Sequence, residues 1–326
     1  SFSIDRLNRP GQTFFMEPRS VELQEIEVLS WKNPADLVEA AIQKIGKNYS
    51  LSPHLLTSFY RETIQKRKKY ITISEAVTDV YKSSYQQDAM SDRAQVLKGR
   101  KLLSPEKKDT LAVKLLGGPN LAIYVDIVKN PDIMLDREIL PYYAFKMGDI
   151  TSINDRLQYV VHFRPQIIAP FPLYEGTFYI DRETLAFSRI VFRIEMRDRE
   201  KVTRMILRDK PPGLRFTPDE VSYVVTYKYQ NGKNYLNYVR NELRFRCDWK
   251  RRLFSTPYTV ISEMAVTDRR ADAIEKIAGK NAFPERKSLS DEAMTYYDSH
   301  FWGAYNIIEP TESLESAVER LKKAEE

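Results

Sequence analysis

Carboxylates recur at a similar spacing in two stretches of this chain. Ile73 to Asp79 reads ISEAVTD and Ile261 to Asp268 reads ISEMAVTD, so Glu75 and Asp79 are echoed by Glu263 and Asp268. If the two stretches were neighbouring strands, their carboxylates could converge and do acid–base work on a peptide or glycan. On sheet edges and turns the same residues serve more often as partners for Arg or Lys. The three histidines, His54, His162 and His300, are far apart in sequence, and none opens a zinc-binding HExxH pattern. His162 shares a strand face with Val160 and is expected to be structural. Cys247 is the single cysteine, which excludes an intramolecular disulfide and a cysteine zinc site. Its alternation with Phe245 and Trp249 makes it a small buried hydrophobe rather than a nucleophile. Gly117-Gly118-Pro119-Asn120 precedes a helical pattern but lacks the spacing of a phosphate-binding loop, so it is read as a turn. No GxSxG elbow is present. No catalytic, cofactor-binding or metal-binding residue is assigned, no cofactor is expected, and the chain is read as a non-enzyme.

The elements that would position any site are mostly strands. The central one is the hairpin from Tyr174 to Met196. In its second arm Ile190, Phe192 and Ile194 alternate with Arg189, Val191, Arg193 and Glu195, which sorts one dry face from one wet face and implies antiparallel pairing. Asp219 to Trp249 forms a second hairpin around Asn231-Gly232, the dipeptide favoured by a tight type I′ turn. Further strands are expected over His54–Tyr81 (a hairpin), Tyr143–Ile150, Leu157–Arg164 and Tyr258–Thr267. Amphipathic helices are expected over Pro34–Ile45, with Asn33 as N-cap, over Leu121–Asn130 and over Lys201–Arg208. Residues 83–108 read as irregular, and 271–290 as polar and mobile. Residues 296–310 form an aromatic-rich docking segment, and 311–326 a terminal amphipathic helix.

The fold class is therefore α+β and β-rich, a large curved antiparallel sheet (a half-open barrel) covered by a few helices. Residues 1–30 are expected to be strands trailing from an upstream domain, 31–270 the sheet domain, and 271–326 a C-terminal extension. The 20 Tyr and 15 Phe among 326 residues suit such a sheet, because flat rings pack well on a pleated surface. The net charge is +6, but 51 Lys and Arg are interleaved with 45 acidic residues, so no nucleic-acid partner is inferred. The densest basic runs, Gln65–Lys69 and Asp248–Arg252, are read as loop charge. No stretch is long and apolar enough for a membrane-spanning helix.

Several motifs resemble one family: NPADLVEAAIQKI from Asn33, FYRET from Phe59, SEAVTDVY from Ser74, GGPN from Gly117, LYEGTFYID from Leu173, KPPGLRFTP from Lys210, and FWGAYNIIEP from Phe301. They are similar to the carboxypeptidase-like regulatory-domain proteins of Bacteroidota, in the segment after the regulatory β-sandwich. That resemblance implies a signal peptide and a sandwich ahead of this segment, placement in the periplasm or at the outer membrane, and no peptidase activity. The GTFYID hairpin is also similar to one in LolA-like lipoprotein-carrier folds, where a half-open barrel presents an apolar concave face. The leading expectation is a non-catalytic cell-envelope binding or scaffolding protein. Phe178, Ile180, Ile190, Phe192, Leu243 and Phe245 would line an apolar groove for a lipid or hydrophobic ligand, or would simply be core. The alternatives are an envelope hydrolase using paired carboxylates, and a module that recruits an envelope protein partner along an edge strand.

Overall fold

The computed structural model describes residues 31–106, 108–249 and 254–297, with Ser316 and Val318. Two compact units divide the chain, Ser1–Lys32 and Asn33–Glu326, and the described residues fall almost wholly in the second. The strands expected over 1–30, the basic residues 250–252, His300, and most of the aromatic segment and terminal helix lie outside the described residues.

Alternating patterns become one eleven-stranded antiparallel sheet. Its order is β3 (Arg93–Leu103), β2 (Lys69–Lys82), β1 (His54–Lys66), β13 (Thr256–Arg270), β12 (Lys233–Trp249), β11 (Leu214–Gln230), β9 (Phe187–Ile194), β8 (Tyr174–Asp181), β7 (Arg156–Pro165) and β5 (Tyr143–Met147). β6 (Thr151–Ile153) also pairs with β7, and β4 (Lys114–Leu115) pairs with β10 (Leu207–Asp209) as a separate ribbon. The sheet is open, with β3 and β5 at its two ends.

Helices follow their capping signals. α1 (Pro34–Gln43) starts where the Asn33 side chain accepts from Ala35 N, and α4 (Arg199–Ile206) where Asp198 accepts from Glu200 N and Lys201 N. α2 (Ile45–Asn48), α3 (Pro119–Tyr124) and α5 (Leu289–Glu292) are single turns or little more. The helix expected over 121–130 stops at Tyr124, which is exposed, while Val125, Ile127 and Val128 are all buried. An irregular backbone can turn three near-consecutive side chains inward, which a helical face cannot.

Two expectations are corrected. Residues 83–108 contain β3, hidden in the sequence because Arg100 and Lys101 interrupt its apolar pattern. Residues 271–290 are docked at their far end, since Phe283 and Leu289 are buried and Phe283 N donates to Ala94 O at 2.7 Å, while 271–281 are mostly exposed.

The one-dry, one-wet rule holds at β11 and β12, where burial alternates residue by residue. It fails at β1 and β2, which are buried along most of both faces. On their second face Ile73 and Leu102 form a small cluster with Tyr70 and Val318. Double burial explains why Ile71, Ile73, Glu75 and Val77 could not be sorted from Thr72, Ser74 and Ala76 by periodicity.

Asp126 ties the covering segment to the sheet. It is fully buried and accepts from Tyr227 Oη at 2.7 Å and from Tyr85 Oη at 3.0 Å, and it pairs with Lys82 Nζ at 2.9 Å. Lys82 also pairs with buried Asp92 at 2.6 Å.

Two stability outcomes follow from these contacts. Asp126→Ala leaves Lys82 short of a partner and should cost about 3–5 kcal/mol in denaturant unfolding; a loss below about 1 kcal/mol would contradict this role. A Cβ built on Gly176 would lie 2.1 Å from Val191 O and 2.7 Å from Phe192 Cα. Gly176→Ala should therefore cost about 1–3 kcal/mol, read as a lower urea midpoint with unchanged m.

Candidate functional site

A cavity of about 220 Å³ lies against the covered face of the sheet where β2, β1, β13 and β12 run side by side. Strand register sets two adjacent rows beneath it, whose members other than Ser74 line the cavity. One row is polar: Lys101 is opposite Ser74, Ser74 opposite Glu62, Glu62 opposite Ser262, and Ser262 opposite Asn241. The neighbouring row is mostly apolar: Leu103, Thr72, Ile64, Val260 and Leu243. The 109–117 segment, including β4, and residues Ser288, Ser290 and Asp291 complete the wall.

The polar row is only partly satisfied. Glu62 is 2% exposed and accepts from Leu289 N at 3.2 Å, from Ser290 N at 3.1 Å and from Ser290 Oγ. Burial raises its pKa against the opposing effect of those hydrogen bonds. Lys101 Nζ donates to Ser290 O at 2.5 Å, and burial lowers its pKa. Asn241 is 8% exposed, lines the cavity, and leaves its Oδ1 without a hydrogen-bond partner. A buried acceptor with no donor is a costly feature that a ligand N–H or O–H would relieve.

The residues singled out in the sequence are distributed differently. Leu243 lines the cavity. Phe178, Ile180, Ile190, Phe192 and Phe245 do not line it and are packed core: Phe178 stacks on Phe163 with centroids 4.3 Å apart, Phe192 on Tyr223 at 4.8 Å, and Phe245 on Tyr258 at 5.4 Å. Ring pairing packs the space around Phe178, Phe192 and Phe245. Glu62, Ser262 and Asn241 were missed. Their signal was a polar residue in the inward register between apolar ones, as in Tyr60-Glu62-Ile64 and Val239-Asn241-Leu243.

The echoing strands do not pool their carboxylates. β1 lies between β2 and β13, and Arg61 is opposite both Glu75 and Glu263. Arg61 Nε holds Glu75 at 2.7 Å and Arg100 holds its other oxygen at 2.6 Å. Glu263 is taken by Arg240 at 2.9 Å and by Tyr238 Oη at 2.6 Å, and Asp79 by Arg270 at 3.3 Å. Carboxylates held this way are ion-pair partners, not a free acid and base. His162 is exposed and bonds Thr177 Oγ1 at 2.9 Å. Cys247 is buried, which pushes its thiol up to about 12. Gly118 is the N-cap of α3 with φ 75°, so the glycine pair serves a turn. Among the described residues no group of three or more His, Cys, Asp or Glu is arranged to hold a metal, and no helix is long and apolar enough to cross a membrane.

The site is thus a mixed polar–apolar cavity on the covered face of an open antiparallel sheet. No family model and no curated protein matches the chain. Solved structures with a similar course of chain include a putative outer membrane lipoprotein-sorting protein domain from Vibrio parahaemolyticus, 10% identical, covering 74% of this chain and 95% of that one with a TM-score of 0.35. A DUF1329 family protein from Desulfovibrio piger is 10% identical over 74% and 94% of the two chains, with a TM-score of 0.29. The LolA superfamily protein NE2245 from Nitrosomonas europaea is 10% identical over 74% and 95%, with a TM-score of 0.26.

His54 supplies a pH test of the covered face. It is 1% exposed, sits edge-on to Tyr235 at 5.2 Å, and burial lowers its pKa from 6.5 to about 4. A histidine buried neutral favours the fold above its unfolded pKa, and that contribution is lost as pH falls from 6.5 towards 4. The shift corresponds to about 3 kcal/mol at most. His54→Phe keeps the ring contact and should flatten the stability–pH curve between pH 6.5 and 4; an unchanged slope would show that other groups control acid unfolding.

Proposed function

We propose that this chain is a non-catalytic cell-envelope binding protein whose cavity takes one acyl chain or a small amphiphile. The observation that carries the reading is the pairing of the two floor rows. Ile64, Val260, Leu243 and Leu103 offer an apolar bed, and the unpartnered Asn241 Oδ1 beside it asks for a donor. A ligand with a hydrocarbon segment and an adjacent hydroxyl or amide N–H meets both demands. Size narrows the class. At about 220 Å³ the cavity is below the roughly 300–1,000 Å³ of drug-sized ligand sites. It suits a single chain or part of one, with the remainder of the molecule outside.

Placement in the periplasm or at the outer membrane belongs to the same proposal, through the resemblance to the regulatory-domain proteins of Bacteroidota, as does the upstream β-sandwich. Hydrolysis is the weaker reading because Glu75, Asp79 and Glu263 are each engaged by arginine. Recruitment of a protein along the β3 edge is weakened too, since Gly99 on that edge already bridges to Tyr297.

Native mass spectrometry of gently purified protein should show a co-purifying lipid-sized mass that denaturation releases. A fluorescent dodecanoyl probe should then bind the stripped protein at one site. Val260→Phe, which fills the bed, should weaken probe binding about tenfold or more while leaving the fold intact. Asn241→Leu removes the orphan acceptor, so it should stabilise the empty protein by about 1–2 kcal/mol and still weaken binding of a hydroxylated chain. Probe binding that both variants leave unchanged would rule the cavity out as the site.

A further inference from the structure

We infer that the end of the sheet carrying the β1–β2 turn and the flanks of the β12–β13 connection docks on an anionic lipid surface. The basic β1–β2 turn and the aromatic residues Trp249 and Phe254 lie at that end. Arg67 N, at the tip of the β1–β2 turn, donates to Pro257 O at 3.0 Å, so the turn rests on the start of β13. Trp249 closes β12 and Phe254 precedes β13; they are 38% and 79% exposed, unusual values for rings of this size.

The turn itself carries a second, independent sign. Arg67 and Lys68 have φ of 50° and 68°, in the left-handed region. A two-residue hairpin turn of this hand favours Asn-Gly, as at Asn231-Gly232, where φ is 51° and 81°. Two long cationic side chains are here held in a conformation their own backbone disfavours, and strain of this kind concentrates at functional sites.

Charge decides the partner. Neighbouring acids are used internally: Asp109 and Glu106 pair with Lys69 at 2.9 and 2.5 Å, and Asp248 lies 3.6 Å from Arg215. Arg67 and Lys68 form no ion pair among the described residues and are exposed. Unpaired cations beside projecting Trp and Phe match the boundary of an anionic bilayer, where aromatic rings sit at headgroup level and basic residues meet lipid phosphates. A nucleic-acid duplex would meet the cations through its phosphates without requiring Phe254. The inference does not rest on the cavity. If both hold, docking brings the cavity close to the lipid, since its wall segment starts beside this turn, where Tyr258 Oη donates to Thr110 O at 3.3 Å.

The test is flotation of the full chain with phosphatidylcholine vesicles, with and without phosphatidylglycerol, at low and high salt. Binding is expected only to the phosphatidylglycerol vesicles and should weaken as salt rises. The double variant Arg67→Asn/Lys68→Gly removes both charges while giving the turn its preferred residues, so it should melt no lower than the parent. It should bind roughly 30-fold more weakly. Phe254→Ser should also lower binding several-fold. Equal binding to both vesicle types, or undiminished binding by the double variant, would overturn the inference. So would an oligonucleotide that displaces the vesicles together with no effect of Phe254→Ser. Vesicle binding that survives Val260→Phe separates this surface from the cavity proposed above.

Discussion

Lys82 lies with no exposed surface between Asp92 and Asp126, at 2.6 and 2.9 Å. A cation in that position is tolerable only while both carboxylates are present, because removing a charge from water without compensation costs several kcal/mol. The three residues come from the end of β2, the approach to β3 and the segment after α3, and tyrosines from β11 and from the segment after β2 complete the shell. Lys129 extends the network by donating to Ser83 Oγ at 2.9 Å, and burial lowers its pKa to about 8. The network therefore fixes where the covering segment sits. That segment begins directly after the 109–117 wall of the cavity, so the cavity's shape depends on it.

The second structural constraint is β1. It is flanked by the two strands that share the ISE-AVTD pattern, and they present their Glu and Asp residues to the same β1 positions. Arg61 faces both glutamates and Thr57 faces both aspartates. The repetition in sequence thus reflects two similar neighbours of one strand. The outcome differs on the two sides because β2 is buried on both faces and β13 is not. Glu75 is enclosed by Arg61 and Arg100, whereas Glu263 belongs to the part-exposed row with Arg240 and Tyr238. Both glutamates are thus engaged as ion-pair partners.

Polar residues in the inward register mark the exception. Across four strands Ser74, Glu62, Ser262 and Asn241 set a polar row into a face that also carries apolar side chains and paired rings. A well-packed core would place hydrophobes there at lower cost. Glu62 is satisfied by the loop at Leu289 and Ser290, but Asn241 retains an unused acceptor beside open volume. The combination of a row of polar groups, a row of apolar groups and space between floor and wall is what separates this region from the filled ring stack around Phe178.

The sequence by itself determined the class of fold, most strands, and the cap of α1. Each of those follows from local pattern: period-two alternation, Asn33 before Pro34, and Asn231-Gly232 between long arms. It also identified Cys247 as inert and the glycine pair at 117–118 as a turn. Only the tertiary structure decided which inward residues line space and which fill it. Phe192 and Leu243 have the same periodic signature, yet one meets a ring from β11 and the other meets the cavity. β3 was hidden because Arg100 and Lys101 break its apolar pattern, and the groups that satisfy them, Glu75 and Ser290 O, come from other elements. The docking of Phe283 depends on a hydrogen bond to Ala94 O of β3. Register between strands is a long-range quantity, and the alignment of Lys101, Ser74, Glu62, Ser262 and Asn241 exists only once the strands have paired.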